Sequence, residues 1–126
     1  MKFVFLISFA LLIFSTAGAQ NYTVVLERPT DKSVTANVLF DQSVVLKVEY
    51  GTCSGVYSLS TSEVNLLANE PKAVVLSGLN ANTRYYYRVK YRLASESSFR
   101  QGNECTFQTQ RPPGASFSFT IEADPH

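Results

Sequence analysis

Between Thr83 and Leu93 the side chains change character at every step. Tyr85, Tyr87, Val89 and Tyr91 fall on one parity, and Arg84, Tyr86, Arg88 and Lys90 on the other. A period of two marks a strand with one face buried and one wet. An aromatic row of this kind needs partner strands beside it and a second layer over it. The same period recurs upstream. Val34, Ala36, Val38 and Phe40 alternate with Thr35, Asn37 and Leu39, and Val44, Leu46, Val48 and Tyr50 alternate with Val45, Lys47 and Glu49. Weaker runs lie at Val24–Leu26, Val56–Thr61, Ala73–Leu76 and Phe99–Thr109.

Turn chemistry separates the runs. Arg28-Pro29-Thr30-Asp31, Asp41-Gln42, Gly51-Thr52-Cys53-Ser54-Gly55, Ser77-Gly78 and Ala94–Ser98 each break the alternation. Glu63–Glu70 is ambiguous: Val64, Leu66 and Leu67 fit a helical turn capped by Ser62, and Pro71 ends whatever precedes it. About seven strands at a spacing near 8–12 residues predict an all-β, antiparallel sandwich over residues 20–109. The expected core is Val38, Leu46, Val48, Leu76, Leu79, Tyr85, Tyr87 and Val89. Tyr85, following the turn Leu79–Thr83, has the position of a tyrosine corner, in which the hydroxyl returns to backbone a few residues upstream.

Composition narrows the function classes. A net charge of +1 leaves no basic excess for nucleic acid. With 13% aromatic and 17% charged residues the chain is not of disordered composition. A single His argues against a His-rich metal site or a catalytic triad within these 126 residues.

The amino end is not counted as fold. Met1-Lys2, an apolar run from Phe3 to Phe14, and Ala17-Gly18-Ala19 have the three parts of a secretory signal peptide over residues 1–19. The run is shorter than the ~20 residues of a membrane span. The mature chain is therefore expected to be secreted or periplasmic, with no membrane attachment. At the other end, Gln110-Arg111-Pro112-Pro113-Gly114 cannot continue a sheet. Residues 110–116 read as a linker. Phe117-Ser118-Phe119-Thr120-Ile121-Glu122-Ala123 is strand-like again and stops at Asp124-Pro125-His126. It either returns to the sandwich as an edge strand or opens a second domain at 117–126. The second reading is preferred, with the chain as a fragment of something longer.

Gly51-Thr-x-x-Gly55-x-Tyr57, Leu79-x-x-x-Thr83-x-Tyr85-Tyr86-Tyr87-Arg88-Val89 and Phe107-x-Thr109 together resemble the fibronectin type III-like amino-terminal domain of purple acid phosphatases and related metallophosphoesterases. The usual sandwich Trp is absent, and Val38 or Phe40 would fill its volume. Asp124-x-His126 resembles the strand end of calcineurin-like metallophosphoesterases. The resemblance implies that Asp124 and His126 are the first metal ligands of a centre holding two ions of iron, manganese or zinc. Purple acid phosphatases proper tend to have Gly-Asp-x-Gly here, so His126 points to the wider family. The implied partners are the chain's own downstream catalytic domain and a phosphate-ester substrate.

No catalytic set lies inside the sandwich. Its carboxylates are scattered, and Arg84, Arg88 and Arg92 share one strand face, read as a solvated face with Glu49 opposite. Asn21-Tyr22-Thr23 matches a glycosylation acceptor, relevant in a eukaryotic host. Cys53 and Cys105 in an exported chain favour a disulfide. Against this, a fibronectin-like order puts a strand between them, an in-plane separation of ~9.6 Å against a limit of ~7 Å. Three functions follow: the accessory domain of a secreted metallophosphoesterase, a free-standing binding or adhesion module, or the accessory domain of another exported hydrolase.

Overall fold

The computed structural model describes residues 21–121. The expected signal peptide and the pair Asp124 and His126 lie outside the described residues.

The strands are β1 (Tyr22–Glu27), β2 (Ser33–Phe40), β3 (Val44–Gly51), β4 (Leu59–Ser60), β5 (Val64–Leu66), β6 (Lys72–Ser77), β7 (Arg84–Arg92), β8 (Arg100–Gln101) and β9 (Cys105–Gln108). No helix occurs among the described residues. One sheet has the order β1-β2-β6; in the other, β3 pairs β4, β5 and β7, and β7 pairs β8 and β9. Every pairing is antiparallel. The chain is thus a fibronectin type III-like sandwich. The count exceeds seven because two weak runs split: β4 and β5 both pair β3, and β8 and β9 both pair β7.

Glu63–Glu70 resolves as strand followed by turn. β5 pairs β3 from Val44↔Leu66 to Leu46↔Val64, so ladder bonds replace the helical turn. Asn69 then takes a positive φ of 60° and donates its amide to the Phe40 carbonyl at 2.8 Å. Asn tolerates this conformation better than most residues, which lets the chain cross to β6 on the other sheet.

All eight expected core residues are buried. The core holds eight more residues: Val34, Ala36, Phe40, Val44, Tyr50 and Tyr91, which lie on the same alternating rows, and Leu66 and Val74. Phe40 sits in an aromatic cluster, its ring centroid 4.9 Å from Tyr22 and 5.0 Å from Tyr91. It and Val38 are fully buried, as the missing Trp requires. Tyr22 anchors the start of β1 to the opposite sheet: a Cβ at Gly102 would lie 1.8 Å from its hydroxyl oxygen, so only glycine admits the ring there.

Two hydroxyls tie buried rings to backbone. Tyr50 Oη donates to the Ser77 carbonyl at 2.9 Å, joining the two sheets. Tyr85 Oη accepts the Asn80 amide at 2.9 Å, which is the tyrosine corner expected from the turn. Tyr85→Phe leaves that half-buried amide without its partner, so the variant should lose about 1–3 kcal/mol of stability. Urea unfolding of Tyr85→Phe beside Phe40→Ala checks this. The cavity variant should lose more, about 3–5 kcal/mol.

Candidate functional site

Three places gather polar or reactive side chains: the outer face of the larger sheet, a cleft holding Cys105, and the end where the chain leaves the sandwich.

The outer face carries the arginine row. Arg88 forks onto Glu49, with Nε at 3.0 Å and Nη2 at 2.9 Å from Oε2, and its other amino group reaches Gln101 Oε1 at 2.8 Å. Its guanidinium lies 4.3 Å from the Tyr57 ring centre. Arg92 reaches Glu63 Oε2 at 3.3 Å and lies over Phe99, which Lys47 also approaches. Two of the three arginines are thus occupied by carboxylates and rings of the same domain, in line with the solvated-face reading. The Arg92–Glu63 pair, with Glu63 exposed, adds little stability; the Arg88–Glu49 pair is partly buried.

Beside Arg88, Glu104 draws the loop after β3 onto the sheet. Its Oε1 accepts from Ser54 Oγ at 2.6 Å, and its Oε2 accepts from the Gly55 amide at 2.8 Å and from the Tyr57 hydroxyl. The hydrogen bond from Ser54, then those from Tyr57 and Gly55, hold the Glu104 carboxyl below its usual range; the same bond to Glu104 raises the Tyr57 phenol. A depressed carboxyl favours the folded state above its unfolded pKa, and that preference is lost as pH falls through the folded value. Acidification below the usual carboxylate range should therefore release the loop. Relative to the intrinsic exchange rate at each pH, protection of the Gly55 amide should fall there, and in Glu104→Gln that loss of protection with acid should be absent.

Cys53 and Cys105 are both free and exposed. The anticipated pairing is not formed, for two geometric reasons. Cys105 is the register partner of Tyr87, and Tyr87 that of Tyr50 on β3, so β7 separates their strands in the sheet, and the loop of Cys53 crosses it to meet Glu104. Directly opposed residues share a face, so Cys105 lies on the core side with buried Tyr87, whereas the Glu104 contacts hold the Cys53 loop on the other side. Cys105, Asn103, Tyr22 and Tyr87 line a cleft of about 350 Å³ between the edges of the two sheets. Burial, then the Cys105 thiol, push the Tyr87 phenol up to about 12. Alkylation of the unreduced protein followed by mass spectrometry should find two labelled thiols; a protein with none labelled would contradict the free pair.

At the exit, Thr109 is a buried polar residue, 3% exposed. Its hydroxyl donates to the Asn80 carbonyl at 2.6 Å and accepts the Thr83 amide at 2.8 Å. Gln110 donates its amide to the Thr30 carbonyl at 3.0 Å, and its carbonyl accepts the Asn82 amide at 2.8 Å. The segment read as a linker is held by its own turn. The Ala115 amide bonds the Pro112 carbonyl at 3.1 Å, and Gly114 has φ 84°. Proline followed by a left-handed glycine fits a type II turn. Arg111 also bonds the Ser116 carbonyl. Asn82, Gln108, Gln110, the turn and Phe117 enclose a recess of about 670 Å³. Beyond it, residues 117–121 keep the alternation but belong to no strand, because none of the described strands pairs with them. Phe117, Phe119 and Ile121 are 73%, 72% and 82% exposed.

No group of His, Cys, Asp and Glu fit to hold a metal occurs among the described residues.

No family model matches this chain, and no curated protein does. Solved structures do. PhoD superposes with a TM-score of 0.55 at 20% identity, over 75% of this chain and 20% of PhoD. The sensor domain of the anti-sigma factor RsgI4 of Pseudobacteroides cellulosolvens superposes at 0.58 and 13% identity, over 80% of this chain and 99% of that domain. A solution structure of the same sensor domain gives 0.58 at 12% identity. At these identities the likeness is one of fold. A sandwich of this fold is thus a part of PhoD and of an anti-sigma factor's sensor domain.

Proposed function

We propose that this chain is the amino-terminal accessory domain of an exported metallophosphoesterase, with its catalytic domain opening at Phe117. The observation that carries the reading is the stripe Phe117, Phe119, Ile121. Three large apolar side chains alternate along the chain and stand in solvent without a sheet. Their alternation suits a strand whose partners lie further along the chain, and Asp124-Pro125-His126 follows directly. The PhoD likeness supports the reading as a fold found within a larger protein. The RsgI4 likeness suits a second reading, a binding module, since there the sandwich makes up a sensor domain. That reading leaves the apolar stripe unexplained, because an isolated module gains nothing from exposing it.

In this function the sandwich does no chemistry, and it supports the catalytic domain. Asp124 and His126 would hold the first of two ions; a carboxylate with a neutral imidazole suits iron, manganese or zinc. Such a pair of ions supplies an activated hydroxide and charge stabilisation for displacement at phosphorus. The leader at residues 1–19 would carry the protein across a membrane before either ion is needed.

In the full-length protein, Asp124→Asn and His126→Ala should lower bound metal and phosphoesterase turnover together. Elemental analysis beside a chromogenic phosphate-ester assay reads both. Full metal content with unchanged turnover in both variants would sink the assignment.

A further inference from the structure

The exit of the sandwich is built more firmly than a tether needs. Three backbone–backbone hydrogen bonds surround Thr109 and Gln110, Thr109 to Thr83, Gln110 to Thr30 and Asn82 to Gln110, and the Thr83 amide adds a fourth bond to the Thr109 hydroxyl. Asn82 adopts φ 50° to make its bond, a conformation most residues avoid. The next residues do not run outward. The Pro112–Ala115 turn reverses them, Arg111 closes the turn onto Ser116, and Phe117 comes to the lip of the recess beside Asn82 and Gln108. Two prolines in succession restrict φ and remove the freedom a Gly-Ser linker would have. The recess wall is largely uncharged, with Arg111 as its charged member, and Phe117, the first residue of the exposed apolar stripe, stands at its lip.

We infer that this recess is a docking seat for the domain that begins at Phe117, and that the Pro112–Ala115 turn is a fixed elbow holding the two domains in one orientation. The inference rests on the two-domain part of the function proposed above, though not on the reaction that the second domain performs. The occupant is named by covalent continuity. Whatever folds from residue 117 onward is delivered to the recess by the turn that lines it. A partner attached through so short a connection has an effective concentration of the order of millimolar, so a modest apolar contact suffices to keep it seated. Docking also buries Phe117, which otherwise stays 73% exposed. The sandwich then acts as a rigid bracket on one side of the catalytic domain.

The test uses the full-length protein, with hydrogen exchange across residues 112–121 and small-angle scattering. In the native protein the amides of Ala115 to Ser118 should exchange at least about tenfold more slowly than an unstructured segment, with one narrow distance distribution. Inserting Gly-Ser-Gly after Gly114 breaks the elbow without touching the sandwich. It should raise exchange at those amides about tenfold and broaden the distribution. Gln108→Glu places a charge in the recess opposite Arg84, its register partner on β7, so the sandwich keeps its melting temperature while exchange at 115–118 rises. Free exchange in the native protein, or no response to either variant, overturns the inference. The two proposals fail separately. If the insertion loosens the domains but no phosphate ester is turned over, the elbow stands and the phosphoesterase reading falls. If Asp124→Asn abolishes turnover while the insertion changes nothing, the reverse holds.

Discussion

Strand β7 is the constraint on which the larger sheet depends. β3 pairs one of its edges, β8 and β9 pair the other, and β4 and β5 join through β3. Its inward row of Tyr85, Tyr87, Val89 and Tyr91 fills the layer between the sheets. Rings of this size bring a large apolar area and a hydroxyl that must be satisfied once buried. The Tyr85 hydroxyl meets that demand at the Asn80 amide. The same contact fixes the loop Leu79–Thr83, and through it the position of Thr109 and Gln110. One buried phenol therefore connects the core to the exit of the domain.

The outward row of the same strand has a different job. Arg88 and Arg92 are held by Glu49 and Glu63 and covered by Tyr57 and Phe99. This consumes charge that might otherwise suggest an anion site. The smaller sheet contrasts with it: its outward residues Thr23, Val25, Thr35, Asn37, Leu39 and Val75 are uncharged, and Glu27 at the end of β1 is the charged member of that face. The two faces of the sandwich thus meet solvent by different chemistry.

The candidate site was legible only in part. The stripe Phe117, Phe119, Ile121 and the Asp124-x-His126 pattern are visible in the chain itself, because alternation and short motifs are local. The recess beside them is not. It needs Asn82, Gln108 and Gln110 brought to one place by the β6–β7 loop and β9, and spacing along the chain carries no trace of that. The Pro-Pro-Gly run was readable as a break in the sheet, yet its closure into a turn depends on the Pro112 carbonyl meeting the Ala115 amide. The cysteines show the same limit from the other side. Exported chains favour pairing, but which face of β9 holds Cys105 is decided by its register with Tyr87.

What the sequence by itself determined is the class of fold, the parity of each long strand and the identity of the eight residues expected at the centre. These follow from a period of two repeated over short distances, reinforced by turn residues with fixed backbone preferences. Only the tertiary structure decided that weak runs split into paired fragments, that Glu63–Glu70 is strand rather than helix, and that Glu104 clasps a loop 50 residues away at Ser54. It also decided that the exit is an ordered elbow. Those outcomes depend on which backbone groups find partners across the sheet, and a hydrogen bond between distant segments has no local signature.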